Sequence, residues 1–238
     1  MMMRLLFCLA VVTLAAGCAT ESAYVPKDAP ASVAPARVKV GDFWEYRVKD
    51  GYTGFDRGLR RYEVSHAEAN RIVVDVTHDG QRVDTEIYEA GWNGLEHPLP
   101  NLQRWRYTPA FPAYAYPLEP GKRWYTVVNA TDPVTRETYR VHTRGKVVGW
   151  ERIKVPAGEF DALKIQRQVF AGNSDARRTQ EVIDETDWYV PALRRTARTQ
   201  ASSEHFDNSR GGNGSGGGEY PLRIRGDWLV AELVRYSP

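Results

Sequence analysis

Residue types able to carry chemistry are few in this chain and widely spaced. The five histidines, His66, His78, His97, His142 and His205, each lie more than four residues from any other histidine or cysteine. No compact metal-ligand spacing arises from them, and the sequence is read as holding no metal and no other cofactor. Carboxylates crowd one stretch at Glu181, Asp184, Glu185 and Asp187, with Glu181 and Glu185 on one face of a strand and Asp184 on the other. A glycosidase needs two carboxylates across a cleft at a defined separation. Neighbours on one strand, near Arg177, Arg178, Arg194, Arg195 and Arg198, read instead as cross-strand ion-pair partners. Ser215 has the wrong surroundings for a nucleophile elbow, because Asn213 stands where the first glycine is required. Gly212, Gly214 and Gly217 match a dinucleotide loop by spacing, but Glu219-Tyr220-Pro221 cannot open a crossover helix, so 209–218 reads as a glycine-rich loop. No catalytic residue is assigned.

One residue does carry chemistry. Cys18 follows Arg4 and an unbroken apolar and small run, Leu5 to Ala16, which has the charged n-region and h-region of a secretory signal and is too short to span a bilayer. The ending Leu14-Ala15-Ala16-Gly17-Cys18 resembles the bacterial lipobox, with Ala15 in the place usual for leucine. The resemblance implies cleavage before Cys18, a diacylglycerol on its thiol and an acyl group on the new amine. Residues 1–17 are then signal peptide. Residues 18–37, with Pro26, Pro30 and Pro35, are a lipidated cysteine and proline-rich tether with a reach of roughly 50 Å at about 3.1 Å per residue. Ala19 follows the cysteine, where an aspartate would mark retention at the inner membrane. The expected place is the outer membrane, on its periplasmic face.

The chain has 238 residues, 42% hydrophobic and 26% charged, with a formal net charge of +2. That balance permits a sizeable core and gives no case for a nucleic-acid partner. Both cysteines are accounted for: Cys8 leaves with the signal and Cys18 takes the lipid. The mature domain therefore has no disulfide and depends on burial for stability.

From Val38 the pattern is period two. Trp44, Tyr46 and Val48 alternate with charged residues, then Tyr62 and Val64, Ile72 to Val76, and Val83 to Ile87 after an Asp79-Gly80 turn. Strands resume at Trp124, around Tyr139, at 147–155 and 160–170, at 179–187, at 193–206 and at 228–236, where Trp228, Val230, Val234 and Tyr236 share a face. About a dozen strands without a helix predict an all-β fold, a curved antiparallel sheet or partly open barrel. Residues 38–238 form one β domain. Gly41-x-x-Trp44 and Gly121-x-x-Trp124 suggest two similar meanders, 38–94 and 121–206, joined by 95–120. That joining stretch has six prolines and is read as an irregular connector without strands.

The run Val155-Pro156-Ala157-Gly158-Glu159-Phe160, with Trp188-Tyr189-Val190-Pro191 after it, is similar to an uncharacterised family of proteobacterial envelope lipoproteins. The family has no established activity, so no site residues follow from it. Its architecture looks like that of the lipoprotein-localisation carriers, open barrels with an apolar cavity. Residue by residue, Pro156 and Gly158 are turn formers.

Seven tryptophans and thirteen tyrosines are the compositional excess. Trp105, Tyr107, Phe111, Tyr114 and Tyr116 in the connector are the candidate ligand-binding residues, as wall or lid of a cavity. Three functions are then open. The first is a non-enzymatic binding module for an apolar or lipid-like ligand, held at the membrane by its anchor. The second is a structural or assembly lipoprotein that meets an envelope protein partner. The third is a hydrolase with a dispersed site. The first is preferred. Cys18→Ser should leave an uncleaved precursor or a released chain, read by membrane fractionation and intact mass; normal maturation and localisation of that variant would refute lipidation.

Overall fold

A computed structural model describes residues 24–99, 104–172, 180–207 and 222–237. Cys18 and the 209–218 loop lie outside them. The chain runs β1 (Phe43–Asp50), β2 (Asp56–Glu68), β3 (Arg71–His78), β4 (Gln81–Tyr88), β5 (Gly94–Pro98), β6 (Arg104–Phe111), β7 (Arg123–Thr131), β8 (Thr138–Val155), β9 (Gly158–Ala171), β10 (Glu181–Val190), β11 (Arg195–Asp207) and β12 (Leu222–Ser237). Every strand pairs antiparallel with its neighbours in sequence, and β1 pairs with β12 from Phe43↔Ser237 to Asp50↔Leu229. The fold is all-β, a closed twelve-stranded up-and-down barrel.

Alternation decides the two faces. Trp44, Tyr46 and Val48 point inward and are buried, while Phe43, Glu45, Arg47 and Lys49 point out. Outward charges pair across strands, as in Arg235–Glu45 at 3.1 Å and Lys49–Glu232 at 3.4 Å. An apolar interior inside a charged exterior is the reverse of a membrane-spanning barrel, which turns its apolar band outward. Along β12 the inward set is Leu229, Ala231 and Leu233. Trp228 lies on the other face, against Tyr52 with ring centroids 5.4 Å apart, whereas a bulge at Val234 returns Tyr236 to the side of its partner Trp44, exposed at the strand's end and 6.2 Å from the Phe160 ring.

The turns follow local chemistry. Asp79 and Gly80 both take positive φ, 47° and 81°, in a two-residue hairpin that pairs His78 with Gln81, as the right-handed strand twist requires. Pro156 and Ala157 make the β8–β9 turn, closed by Val155↔Gly158. This long hairpin reaches across one end of the barrel, where the Ala157 N–H donates to the Leu233 carbonyl at 2.9 Å.

Residues 95–120 correct the expectation of a strandless connector. They contribute most of β5 and all of β6 to the barrel wall. The prolines fall where ladders end: Pro98 closes β5, and β6 pairs with β7 only from Arg106 to Thr108, just before Pro109. A proline without an N–H is tolerated at such positions. The stretch read as a tether is also engaged from residue 24 onward. Val33 is buried and exchanges backbone hydrogen bonds with Leu118 at 2.9 and 2.8 Å, and the Tyr24 hydroxyl donates to Asp161 Oδ1.

One core cluster fills the barrel end covered by Val33 and Leu118, with Trp44, Trp92, Tyr189 and Leu193 among its members. A second, with Trp105, Tyr107, Val141 and Ile183, packs inside β6 to β10. Gly145 makes room for Trp124, which packs against the first cluster, because a Cβ there would lie 2.1 Å from the Trp124 ring. Gly145→Ala should destabilise by about 1–3 kcal/mol, the usual range for overpacking, in a urea melt.

Candidate functional site

Between the two clusters lies a cavity of about 500 Å³. Its lining runs from Trp92 and Tyr114 at the plugged end to Pro98, Leu99 and Asp227 towards the other. The space exists on the β11–β12 side because the inward residues there are small: Thr196, Thr199, Ala201 and Ala231. Tyr46, Tyr62, Tyr88 and Phe111 make its walls aromatic.

The candidate aromatics are all buried or partly buried and divide between two positions. Phe111 and Tyr114 stand in the cavity wall. Behind it, Trp105 stacks on Tyr139 at 5.6 Å, Tyr107 lies 5.0 Å from the His97 ring, and Tyr116 packs 5.9 Å from Tyr114. Burial is set by the β6 alternation, which turns Trp105 and Tyr107 inward while Arg106 and Thr108 are exposed.

The cavity also holds charged groups that pattern reading did not find. Arg167 on β9 is a full ion-pair centre. Its Nε lies 3.0 Å from Glu185 Oε2, its Nη1 lies 2.8 Å from Asp187 Oδ2, and Nη1 donates to the Ala113 carbonyl at 3.2 Å. The Tyr114 hydroxyl donates to the same Asp187 oxygen at 2.8 Å. Burial pushes the Glu185 carboxyl up, against the pull of Arg167. These carboxylates do pair across strands, but with Arg167 and not with the described Arg194, Arg195 or Arg198; Arg177 and Arg178 lie outside the described residues. Glu181 faces His205 at 3.3 Å.

Arg195, the first residue of β11, is set differently. Three aromatic side chains hold the backbone around it. The Trp44 indole N–H donates to the Leu193 carbonyl at 2.9 Å, the Trp92 indole N–H to the Arg194 carbonyl at 2.7 Å, and the Tyr46 hydroxyl to the Thr196 carbonyl at 2.8 Å. Trp92 and Arg194 both have positive φ, 72° and 57°, a conformation that surrounding contacts must maintain. The Arg195 guanidinium then sits 4.1 Å from the Trp92 ring centroid and 4.6 Å from that of Tyr62. Among the described residues its buried Nη1 has no hydrogen-bond partner, and neither has Nε of Arg60, which also lines the cavity. Glu86 faces them and accepts from the Tyr88 hydroxyl.

His97 is packed among rings: Tyr88 at 5.6 Å, Tyr107 at 5.0 Å and Phe111 at 5.4 Å, with Nδ1 2.7 Å from the Pro98 carbonyl oxygen. Burial pushes its pKa down. The other histidines are dispersed, His142 on the outer face 2.7 Å from the Tyr125 hydroxyl and His66 exposed beside Glu68. Among the described residues no three His, Cys, Asp or Glu side chains gather into a metal-binding group.

These features describe a closed β-barrel with a charged exterior and an internal cavity lined by aromatic, small apolar and charged residues, among them the buried Arg167 and the half-buried Arg60 and Arg195. No protein-family model matches the chain, and no curated protein matches it. Among solved structures, a suspected lipoprotein from Parabacteroides distasonis superposes with a TM-score of 0.52 at 13% identity, over 86% of this chain and 99% of that one. A suspected exported protein with a YmcC-like fold from Bacteroides fragilis follows at TM-score 0.49, 12% identity and coverage of 87% and 100%. The hypothetical lipoprotein YmcC from Escherichia coli gives 0.40, 11%, and 84% and 86%. At such identities the likeness is one of fold.

A depressed histidine sets a sign for pH dependence. Below the unfolded pKa near 6.5, the unfolded chain takes a proton that folded His97 refuses. Stability should therefore fall as the pH drops below that value, by at most about 1.4 kcal/mol per pH unit. Urea melts at pH 7.5 and 5.5 should show a larger loss for the parent than for His97→Phe; equal losses would mean that His97 protonates freely in the fold.

Proposed function

We propose that this chain is a lipid-anchored envelope protein that holds an apolar, lipid-like molecule inside its barrel and does no bond chemistry on it. The observation that carries the reading is the cavity of about 500 Å³, with aromatic and small apolar residues beside charged ones in its lining, a size within the ~300–1,000 Å³ of small-molecule sites. Cys18 supplies the anchor, and the absence of aspartate at Ala19 supports the outer membrane with the barrel on the periplasmic side. The fold shared with a suspected lipoprotein agrees with that setting. A hydrolase is the weaker reading, since Glu185 and Asp187 are both committed to Arg167.

Binding of N-phenylnaphthylamine, a neutral apolar probe that brightens on leaving water, tests the cavity. The parent should bind it, and Ala201→Trp, which puts a large ring into the lined space, should weaken binding by tenfold or more with the far-ultraviolet spectrum retained. Undiminished binding in that variant would place the probe elsewhere and remove the support for an internal ligand.

A further inference from the structure

Buried charges are ordinarily paired, and the two arginine centres in this cavity differ on that point. Arg167 has two carboxylates at 3.0 and 2.8 Å. Arg195 has rings on its faces and a buried Nη1 with no acceptor. Arg60, in electrostatic contact with the same Tyr62 ring system, leaves its Nε without an acceptor. Of the acidic groups in the lining, Glu185 and Asp187 belong to Arg167 and Asp227 is exposed towards the other end. Among the described residues of the lining, Glu86 is the acid that remains to offset Arg60 and Arg195, and one of its oxygens already accepts from Tyr88. Two fixed positive charges thus face one negative charge, with guanidinium hydrogens left to donate.

The backbone on either side of Arg195 is held by Trp44, Trp92 and Tyr46, so the side chain is positioned before any ligand arrives and little ordering remains to oppose binding. Towards the other end the lining includes the apolar Leu99 and Leu229, with Asp227 exposed beyond them. At about 30 Å³ for each water-sized group, the cavity has room for on the order of sixteen such groups, which is one acyl chain.

Resting on the reading of the barrel as a lipid-binding module, we propose that Arg195, with Arg60, forms a site for an anionic head group. The ligand is then a single-chain amphiphile ending in a carboxylate or a phosphate monoester. Its head lies deep in the barrel against the arginines and its tail runs past Phe111 towards Leu99 and Leu229. A guanidinium donates to either oxyanion through two parallel N–H groups, and the missing negative charge is the one the head supplies.

The test is calorimetric titration of the full chain, stripped of co-purifying lipid, with palmitate, hexadecyl phosphate and hexadecanol. At least one of the two anions should bind about tenfold to a hundredfold tighter than the alcohol of equal chain length, the range expected for one or two charge-assisted bonds; the tighter of the two identifies the head. Arg195→Met should abolish that preference and leave hexadecanol affinity unchanged, which also shows that the barrel is intact. Arg195→Lys, keeping the charge without the fork, should retain part of the preference. Equal affinities for all three compounds, or an equal loss of all three in Arg195→Met with a folded spectrum, would overturn the head-group site and leave the apolar cavity standing. Failure of all three to bind the parent would remove both readings.

Discussion

Closure of β1 on β12 is the constraint from which the rest of the molecule follows. Without it the sheet would have two exposed edges; with it the strands enclose a space. An eight-stranded barrel is about as wide as its own side chains can fill, and width grows with strand number. Twelve strands therefore enclose more than alternating inward residues can occupy. This chain fills the surplus at one end with Val33, Leu118 and the rings around Trp44 and Trp92. Along β6 to β10 it uses the Trp105 and Tyr107 cluster. What remains is about 500 Å³ beside Ala201 and Ala231. A dry apolar void costs about 24 cal/mol for each Å³, so a volume of this size is not left empty. A chain that stays folded must put something there, water against the polar groups or a ligand against the apolar ones. The polar groups in the lining are accordingly as informative as its apolar area.

Much of the wall was legible because the exterior is charged. Wherever water lies on one side and the core on the other, alternation is sharp, as at Trp44-Glu45-Tyr46-Arg47-Val48, and strand and face can both be read. Two physical circumstances blurred the rest. Prolines suggested that 95–120 is irregular, yet Pro98 ends β5 and Pro109 lies where the β6–β7 ladder stops, and the sequence does not say which N–H groups need partners. On β12 both faces carry large apolar residues, so Trp228 and Val230 looked as inward as Leu229, Ala231 and Leu233, and the bulge at Val234 that returns Tyr236 to the Trp44 side was not visible in the pattern.

The interior arginines were the least legible part of the candidate site. Arg167, Arg195 and Arg60 occupy inward positions, where period-two reading expects an apolar residue, and a single charged residue out of phase resembles a register error. A sequence signal did exist: Glu181, Glu185 and Asp187 share parity with Ile183 and Tyr189, so three acids lay on the face of two core residues. Acids on a buried face require a buried base, and the register pairs Glu185 with Arg167 directly. Arg195 had no such partner to disclose it, because its surroundings are rings whose distant residues only the closed barrel brings together.

That contrast separates structural from functional burial of charge. Replacing a paired buried ion set by apolar residues is often neutral, whereas leaving one member unpaired is strongly unfavourable. Arg167 has its counter-charges in the chain, so its environment is complete and its role is accounted for by the barrel itself. Arg195 is half-buried and has cation–π contacts at 4.1 and 4.6 Å, worth about 2 kcal/mol each where desolvated, but neither contact supplies a counter-charge. The chain nevertheless fixes the backbone around it with three aromatic hydrogen bonds, two of them meeting carbonyls at or beside a left-handed residue. Structure of that kind, spent on holding an unsatisfied cation in an aromatic cavity, adds little stability to the barrel alone, and becomes favourable when an anion completes it.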